Sequence, residues 1–86
     1  MNDITILTSA ACSYCVAAKS LLLKHRIAYQ EVDLLKGGEQ AQTLLKQSGQ
    51  RTVPQIFINA EPIGGFTELA QLLSNKEFDI NQLPIL

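Results

Sequence analysis

Asp3-Ile4-Thr5-Ile6-Leu7-Thr8-Ser9-Ala10-Ala11-Cys12-Ser13-Tyr14-Cys15-Val16-Ala17-Ala18 is the stretch that decides the fold. Asp3–Thr8 is dense in Ile, Leu and Thr and reads as a buried strand. From Cys12 to about Arg26 the chain reads as a helix, with Ala17, Ala18, Leu21, Leu22 and His25 on one face at helical spacing. Lys24, His25 and Arg26 fall in its last turn, where positive charge suits the helix dipole. Cys12 and Cys15 therefore straddle the junction between a strand and a helix.

Outward from that junction, Ala28–Asp33 alternates Tyr29, Glu31 and Asp33 against Gln30 and Val32, a second strand. A helix after Gly37-Gly38 carries Ala41, Leu44 and Leu45 and stops at Gly49. Val53-Pro54-Gln55-Ile56-Phe57-Ile58 is a strand with proline at its entry, where a missing N–H is tolerated. Asn59-Ala60-Glu61 turns into a short strand, Pro62-Ile63, ending at Gly64-Gly65, and Phe66 to Ser74 forms a last helix with Leu69, Leu72 and Leu73 inward. The order β-α-β-α-β-β-α predicts an α/β fold. Its first two strands should be parallel across a right-handed connection and its last two a hairpin. Together they make a four-stranded mixed sheet flanked by helices. The tail from Lys76, with Phe78, Ile80, Leu83, Ile85 and Leu86, either caps the core or joins a partner surface.

Eighty-six residues suit one domain, 1–86, whose chain buries only about 60–65% of its unfolded surface. A hydrophobic fraction of 47% against 17% charged is globular rather than disordered. The net charge of −1 leaves no basic stripe to neutralise phosphates, which argues against nucleic acid. Apolar runs such as Leu21–Leu23 are far short of a membrane span. Met1-Asn2-Asp3-Ile4 lacks the basic start of a secretory signal. A soluble, cytoplasmic protein is expected.

Both cysteines of the chain lie in Cys12-Ser13-Tyr14-Cys15. A disulfide between them closes so short a loop that it adds only about 2 kcal/mol on the chain-entropy estimate, a small gain for a structural staple. Zinc wants four ligands, and the sole histidine, His25, sits on the apolar face of the same helix. Two inert core cysteines are a further alternative, but a strand–C-x-x-C–helix junction inside a β-α-β pattern favours redox chemistry. Cys12 falls near the helix N-cap, where free N–H groups and the dipole favour an anion and lower a thiol's pKa. Cys15, one turn in, faces the packing and should stay a thiol. A well-lowered pKa raises the thiolate fraction at neutral pH by up to roughly 30-fold, while intrinsic nucleophilicity falls by about 40-fold. The two nearly cancel in attack, so the gain lies in departure: a low-pKa sulfur leaves readily when an external thiol attacks its mixed disulfide.

Three segments, Cys12-Ser13-Tyr14-Cys15, Thr52-Val53-Pro54-Gln55-Ile56-Phe57-Ile58 and Gly64-Gly65-Phe66-Thr67-Glu68-Leu69, give the chain a resemblance to the glutaredoxins over nearly its whole length. The resemblance implies a thioredoxin fold with a cis peptide before Pro54, facing the cysteines. It implies glutathione-dependent reduction of disulfide-bonded and glutathionylated proteins, with Cys12 as nucleophile and Cys15 as resolving thiol. Glutathione reductase would regenerate the glutathione, and the protein would act as a monomer. The Val53 backbone would pair with glutathione as an extended peptide, with Thr52 and Pro54 beside it. By the same resemblance Gly65 would allow close approach, the N–H groups of Phe66 and Thr67 would hold the γ-glutamyl carboxylate, and Glu68 would reach the amino group. Tyr14 flanks the site as an aromatic wall.

Against the family pattern, Ser13 stands where many members have proline, and Ser9 where many have a lysine. Ala41 stands where relatives often place a polar or basic glutathione contact, which leaves Arg51 as the best cation for the glycyl carboxylate. Weaker hold on glutathione than in lysine-bearing relatives is expected. No metal site is expected within the chain. The alternative function is a [2Fe–2S] carrier, in which Cys12 and glutathione ligate a cluster between two subunits. A thioredoxin-like reductase is disfavoured by the lack of tryptophan and by the Gly64-Gly65-Phe66-Thr67 segment.

Overall fold

The structure is a computed structural model that describes residues 3–50 and 52–74. Seven elements follow in the expected order: β1 (Ile4–Thr8), α1 (Ser13–Lys24), β2 (Gln30–Asp33), α2 (Gly38–Ser48), β3 (Gln55–Ile58), β4 (Glu61–Gly64) and α3 (Phe66–Ser74). The strands form one sheet in the order β2-β1-β3-β4. β1 runs parallel to β2, pairing Leu7 with Val32, and antiparallel to β3, pairing Ile6 with Ile56. β3 and β4 are the expected antiparallel hairpin, with an irregularity at Ile56/Phe57.

The two-residue period of a strand sends alternate side chains to opposite faces, and here both faces are covered. Ile4 and Ile6 of β1 join Ile56, Ala18 and Leu22 of α1, Ile27 and Leu69 of α3 in one core. Leu7 joins Val32, Phe57 and the α2 residues Ala41 and Leu44 in the other. β1 and β3 are therefore almost wholly buried, while β2 and β4, paired on one side only, expose Gln30, Glu31, Glu61 and Pro62. This is the mixed, helix-flanked sheet that the element order predicts.

Element ends differ from the sequence reading for identifiable reasons. α1 stops at Lys24 with His25 as its C-cap, because Arg26 turns left-handed at φ 57°. The buried stripe of α1 is Cys15, Ala18 and Leu22, with Ala17, Leu21 and His25 half-buried at its margin. β2 begins at Gln30 rather than Ala28, and β3 at Gln55 rather than Val53, the Val53–Pro54 peptide being cis. α2 ends as expected at Gly49, which takes the left-handed conformation (φ 69°) that glycine adopts without a Cβ penalty. The tail from Lys76 lies outside the described residues.

Ala41 shares the buried face of α2 with Leu44, the residues that the sequence pattern grouped together. Its side chain is fully buried in the core beneath α2, so position 41 faces the sheet and offers no ligand contact.

Candidate active site

β1 delivers the chain through Ser9-Ala10-Ala11 to Cys12, which is the N-cap of α1 in extended conformation (φ −128°, ψ 104°). In that position a side-chain acceptor meets the amide three residues on, and Cys12 Sγ accepts from the Cys15 N–H at 3.0 Å. No acidic residue occupies the first turn of α1 to oppose negative charge there. The two cysteines form a disulfide, with Cα atoms 5.2 Å apart. Their surroundings are unequal: Cys12 is half-buried, whereas Cys15 is 1% exposed.

The carbonyl oxygen of Val53, on the cis peptide before Pro54, lies 3.7 Å from Cys12 Sγ. This loop, Tyr14 and the start of α3 enclose a cleft of about 210 Å³. Tyr14 forms one wall with Phe66, their ring centroids 6.0 Å apart and tilted by 42°. Thr52, Val53 and Pro54 line a second side, and Gly65, Thr67 and Glu68 a third. Eight of the sequence-predicted residues, Tyr14, Thr52, Val53, Pro54, Gly65, Phe66, Thr67 and Glu68, thus line one cleft, which meets the half-buried Cys12 at Val53. Arg51 lies outside the described residues. Larger hollows exist elsewhere, one of about 700 Å³ at the opposite ends of β1 and β2 near Asp3, Tyr29 and Asn59. None of the cysteines or the residues paired with them lines it.

The two glycines at the end of β4 are constrained to different degrees. Gly64 has φ +119°, and a Cβ there would stand 2.6 Å from Glu68 Cγ. A Cβ on Gly65 would meet the Pro54 carbonyl oxygen at 3.2 Å, so the glycine lets α3 sit close against the loop. The first intrahelical bond of α3 runs from Leu69 N–H to Gly65 O at 3.0 Å, leaving the amides of Phe66, Thr67 and Glu68 without an intrahelical acceptor. Glu68 folds back over Gly64, its Oε1 accepting from Gly65 N–H at 3.5 Å, a capping-box arrangement that the sequence reading did not assign.

Gln50 also lines the cleft, a residue the sequence reading passed over in favour of its charged neighbour Arg51. Its amide oxygen and the Thr52 backbone and hydroxyl oxygens all accept from the side-chain amide nitrogen of Gln55, at 3.3, 2.8 and 3.0 Å. Gln55 is 1% exposed, one of two buried polar residues among those described. The other is Thr8, whose hydroxyl donates to Glu31 Oε2 at 2.7 Å, where Lys19 also pairs at 3.1 Å. The Thr8 hydrogen bond, then Lys19, lowers the Glu31 pKa below the ordinary carboxylate value.

A family model described as Glutaredoxin matches residues 4–63. Over 72 residues the chain is 39% identical to glutaredoxin 3 of Escherichia coli strain K12, covering 84% of this chain and 87% of that protein. The crystal structure of a buckwheat glutaredoxin–glutathione complex superposes with a TM-score of 0.69 at 33% identity, covering 81% of this chain and 66% of that one. Wheat glutaredoxin superposes with a TM-score of 0.78 at 25% identity, covering 96% and 83%. Sequence match, thioredoxin fold and the C-x-x-C pair at the helix start agree: the chain belongs to the glutaredoxin family of thiol oxidoreductases.

Proposed function

We propose that the protein is a glutathione-dependent thiol–disulfide oxidoreductase that reduces glutathionylated proteins and protein disulfides through a Cys12 thiolate. One observation carries the reading: the half-buried, N-capping sulfur of Cys12 borders a cleft lined by Tyr14, Thr52, Val53, Pro54, Gly65, Phe66, Thr67 and Glu68. The buckwheat relative solved with glutathione supports that ligand for this cleft.

In the reaction, Cys12 thiolate attacks the glutathione sulfur of a protein–glutathione disulfide. The protein–glutathione S–S bond breaks, a Cys12–glutathione bond forms, and the protein leaves as a thiolate that takes up a proton. A second glutathione thiolate then attacks the bound glutathione sulfur, releasing Cys12 thiolate and glutathione disulfide, which glutathione reductase returns to thiol. For a protein disulfide, Cys15 displaces the substrate from Cys12, closing the Cys12–Cys15 disulfide that two glutathiones reopen. The Val53 backbone pairs with the extended cysteinyl unit, and the Phe66 and Thr67 amides receive the γ-glutamyl carboxylate. Glu68 faces the ammonium, while the Tyr14–Phe66 wall shields the sulfurs.

The test is turnover of a glutathionylated peptide with glutathione, glutathione reductase and NADPH. Cys12→Ser should abolish it and Cys15→Ser should retain it; equal activity in Cys12→Ser refutes the reading. For a [2Fe–2S] cluster between subunits this chain would offer Cys12 alone, since Cys15 is sealed. Among the described residues no three His, Cys, Asp or Glu side chains gather. A brown, glutathione-dependent dimer from anaerobic purification would support the cluster; a colourless monomer counts against it.

A further inference from the structure

The loop that walls the cleft is held from beneath by one side chain. Gln55, the first residue of β3, is paired with Leu7 of β1 and is 1% exposed. Its amide nitrogen reaches Thr52 O at 2.8 Å, Thr52 Oγ1 at 3.0 Å and Gln50 Oε1 at 3.3 Å. A carbonyl oxygen can only accept, so the nitrogen, not the oxygen, of the Gln55 amide must face Thr52 O. Its two hydrogens divide between the Thr52 pair and Gln50. The loop is secured at its other end by α2, where Gln50 N–H donates to Ser48 Oγ at 3.1 Å.

We infer that Gln55 is a positioning residue: from a buried site it fixes Gln50 and Thr52 as a preformed cleft wall, and so sets substrate affinity without touching substrate. The inference rests on the glutathione reading of the cleft. Its physical basis is preorganisation. A loop that must be ordered when ligand arrives spends part of the binding energy on ordering, and one already tied down does not. A buried amide hydrogen bond is modestly stabilising, and leaving its buried acceptor unsatisfied costs more than the bond contributed. Losing the Gln55 donor should therefore weaken binding on the order of tenfold.

The experiment uses Gln55→Met, which keeps the shape and removes the donor, and Gln55→Glu, which sets a carboxylate against two acceptors. Both are placed in the Cys15→Ser background and assayed with a glutathionylated peptide. KM should rise about tenfold in Gln55→Met and further in Gln55→Glu, with kcat within about twofold of the parent. Alkylation of Cys12 by iodoacetamide should be unchanged, a readout that general loosening of the fold would move. A folded Gln55→Met with parental KM overturns the inference, as does a fall in kcat matched by altered alkylation. If neither variant folds, NMR of the parent decides: the Gln55 side-chain amide protons should exchange slowly and shift as glutathione saturates Cys12→Ser. Fast exchange overturns the inference. A parent that shows no saturation by the peptide sinks the glutathione reading itself, whereas a saturable parent with an indistinguishable Gln55→Met sinks only the role of Gln55.

Discussion

The backbone N–H of Cys15 points at the sulfur of Cys12 across 3.0 Å, inside the first turn of α1. A thiolate at that place receives a charge-assisted hydrogen bond and the positive end of the helix, whereas a thiol gains little from either. The same fold hides Cys15 beneath the helix, where an anion would lose its hydration.

The first prediction concerns that asymmetry. In Cys15→Ser, ultraviolet titration should show Cys12 ionising below the ordinary thiol value near 8.5. An ordinary value would remove the electrostatic basis of the mechanism.

Gly64 and Gly65 should fail differently when changed to alanine. Gly64→Ala forces a Cβ onto φ +119° and into Glu68, and should cost roughly 1–3 kcal/mol in urea unfolding. Gly65→Ala meets only the Pro54 carbonyl oxygen at 3.2 Å, so the fold should survive while KM for a glutathionylated peptide rises. Equal loss of stability in both would contradict the geometry.

At position 41 a polar side chain should not improve the cleft. Ala41 is fully buried between α2 and the sheet, so Ala41→Gln overpacks the core and buries an amide, lowering stability by roughly 1–3 kcal/mol. Kinetics would register no gain in affinity for glutathione. A lower KM in a stable variant would show that the residue faces the ligand after all.

Acid should weaken the fold through two carboxylates. The Thr8 hydroxyl and Lys19 lower the Glu31 pKa below 4.5, and the Lys36 and Leu35 backbone N–H groups lower that of Asp33 below 3.8. Both favour the ionised form in the folded state. Their stabilisation is complete above those ordinary values and is lost as pH falls through them and then through the lower folded values. Glu31→Gln should therefore flatten the fall of the urea midpoint below about pH 4.5, and Thr8→Val should move the Glu31 titration upward in NMR. An unchanged acid limb in Glu31→Gln would remove Glu31 from the acid response.

Much of the fold was legible because apolar runs and breakers coincide with it. The β1 run, the left-handed Gly49 and the Phe66 start of α3 all fall where pattern places them. The cleft was legible through three short segments with family spacing. What escaped depends on neighbours far along the chain. Gln55 reads as the polar member of a strand, and only the approach of Gln50 and Thr52 reveals a buried latch. The fold-back of Glu68 needs the bare surface of Gly64 beneath it, a fact of three dimensions.

Sealing one sulfur while leaving its neighbour at the surface gives the redox pair an inner and an outer terminal. A thiol arriving from solvent meets the outer one, and opening the closed ring then expels the inner sulfur into an apolar recess that shelters an anion poorly. Exchange that begins and ends on the outer terminal meets no such barrier. The molecule thus presents traffic with an uneven fork, a level road through partners carried by water and a steeper one through its own second sulfur.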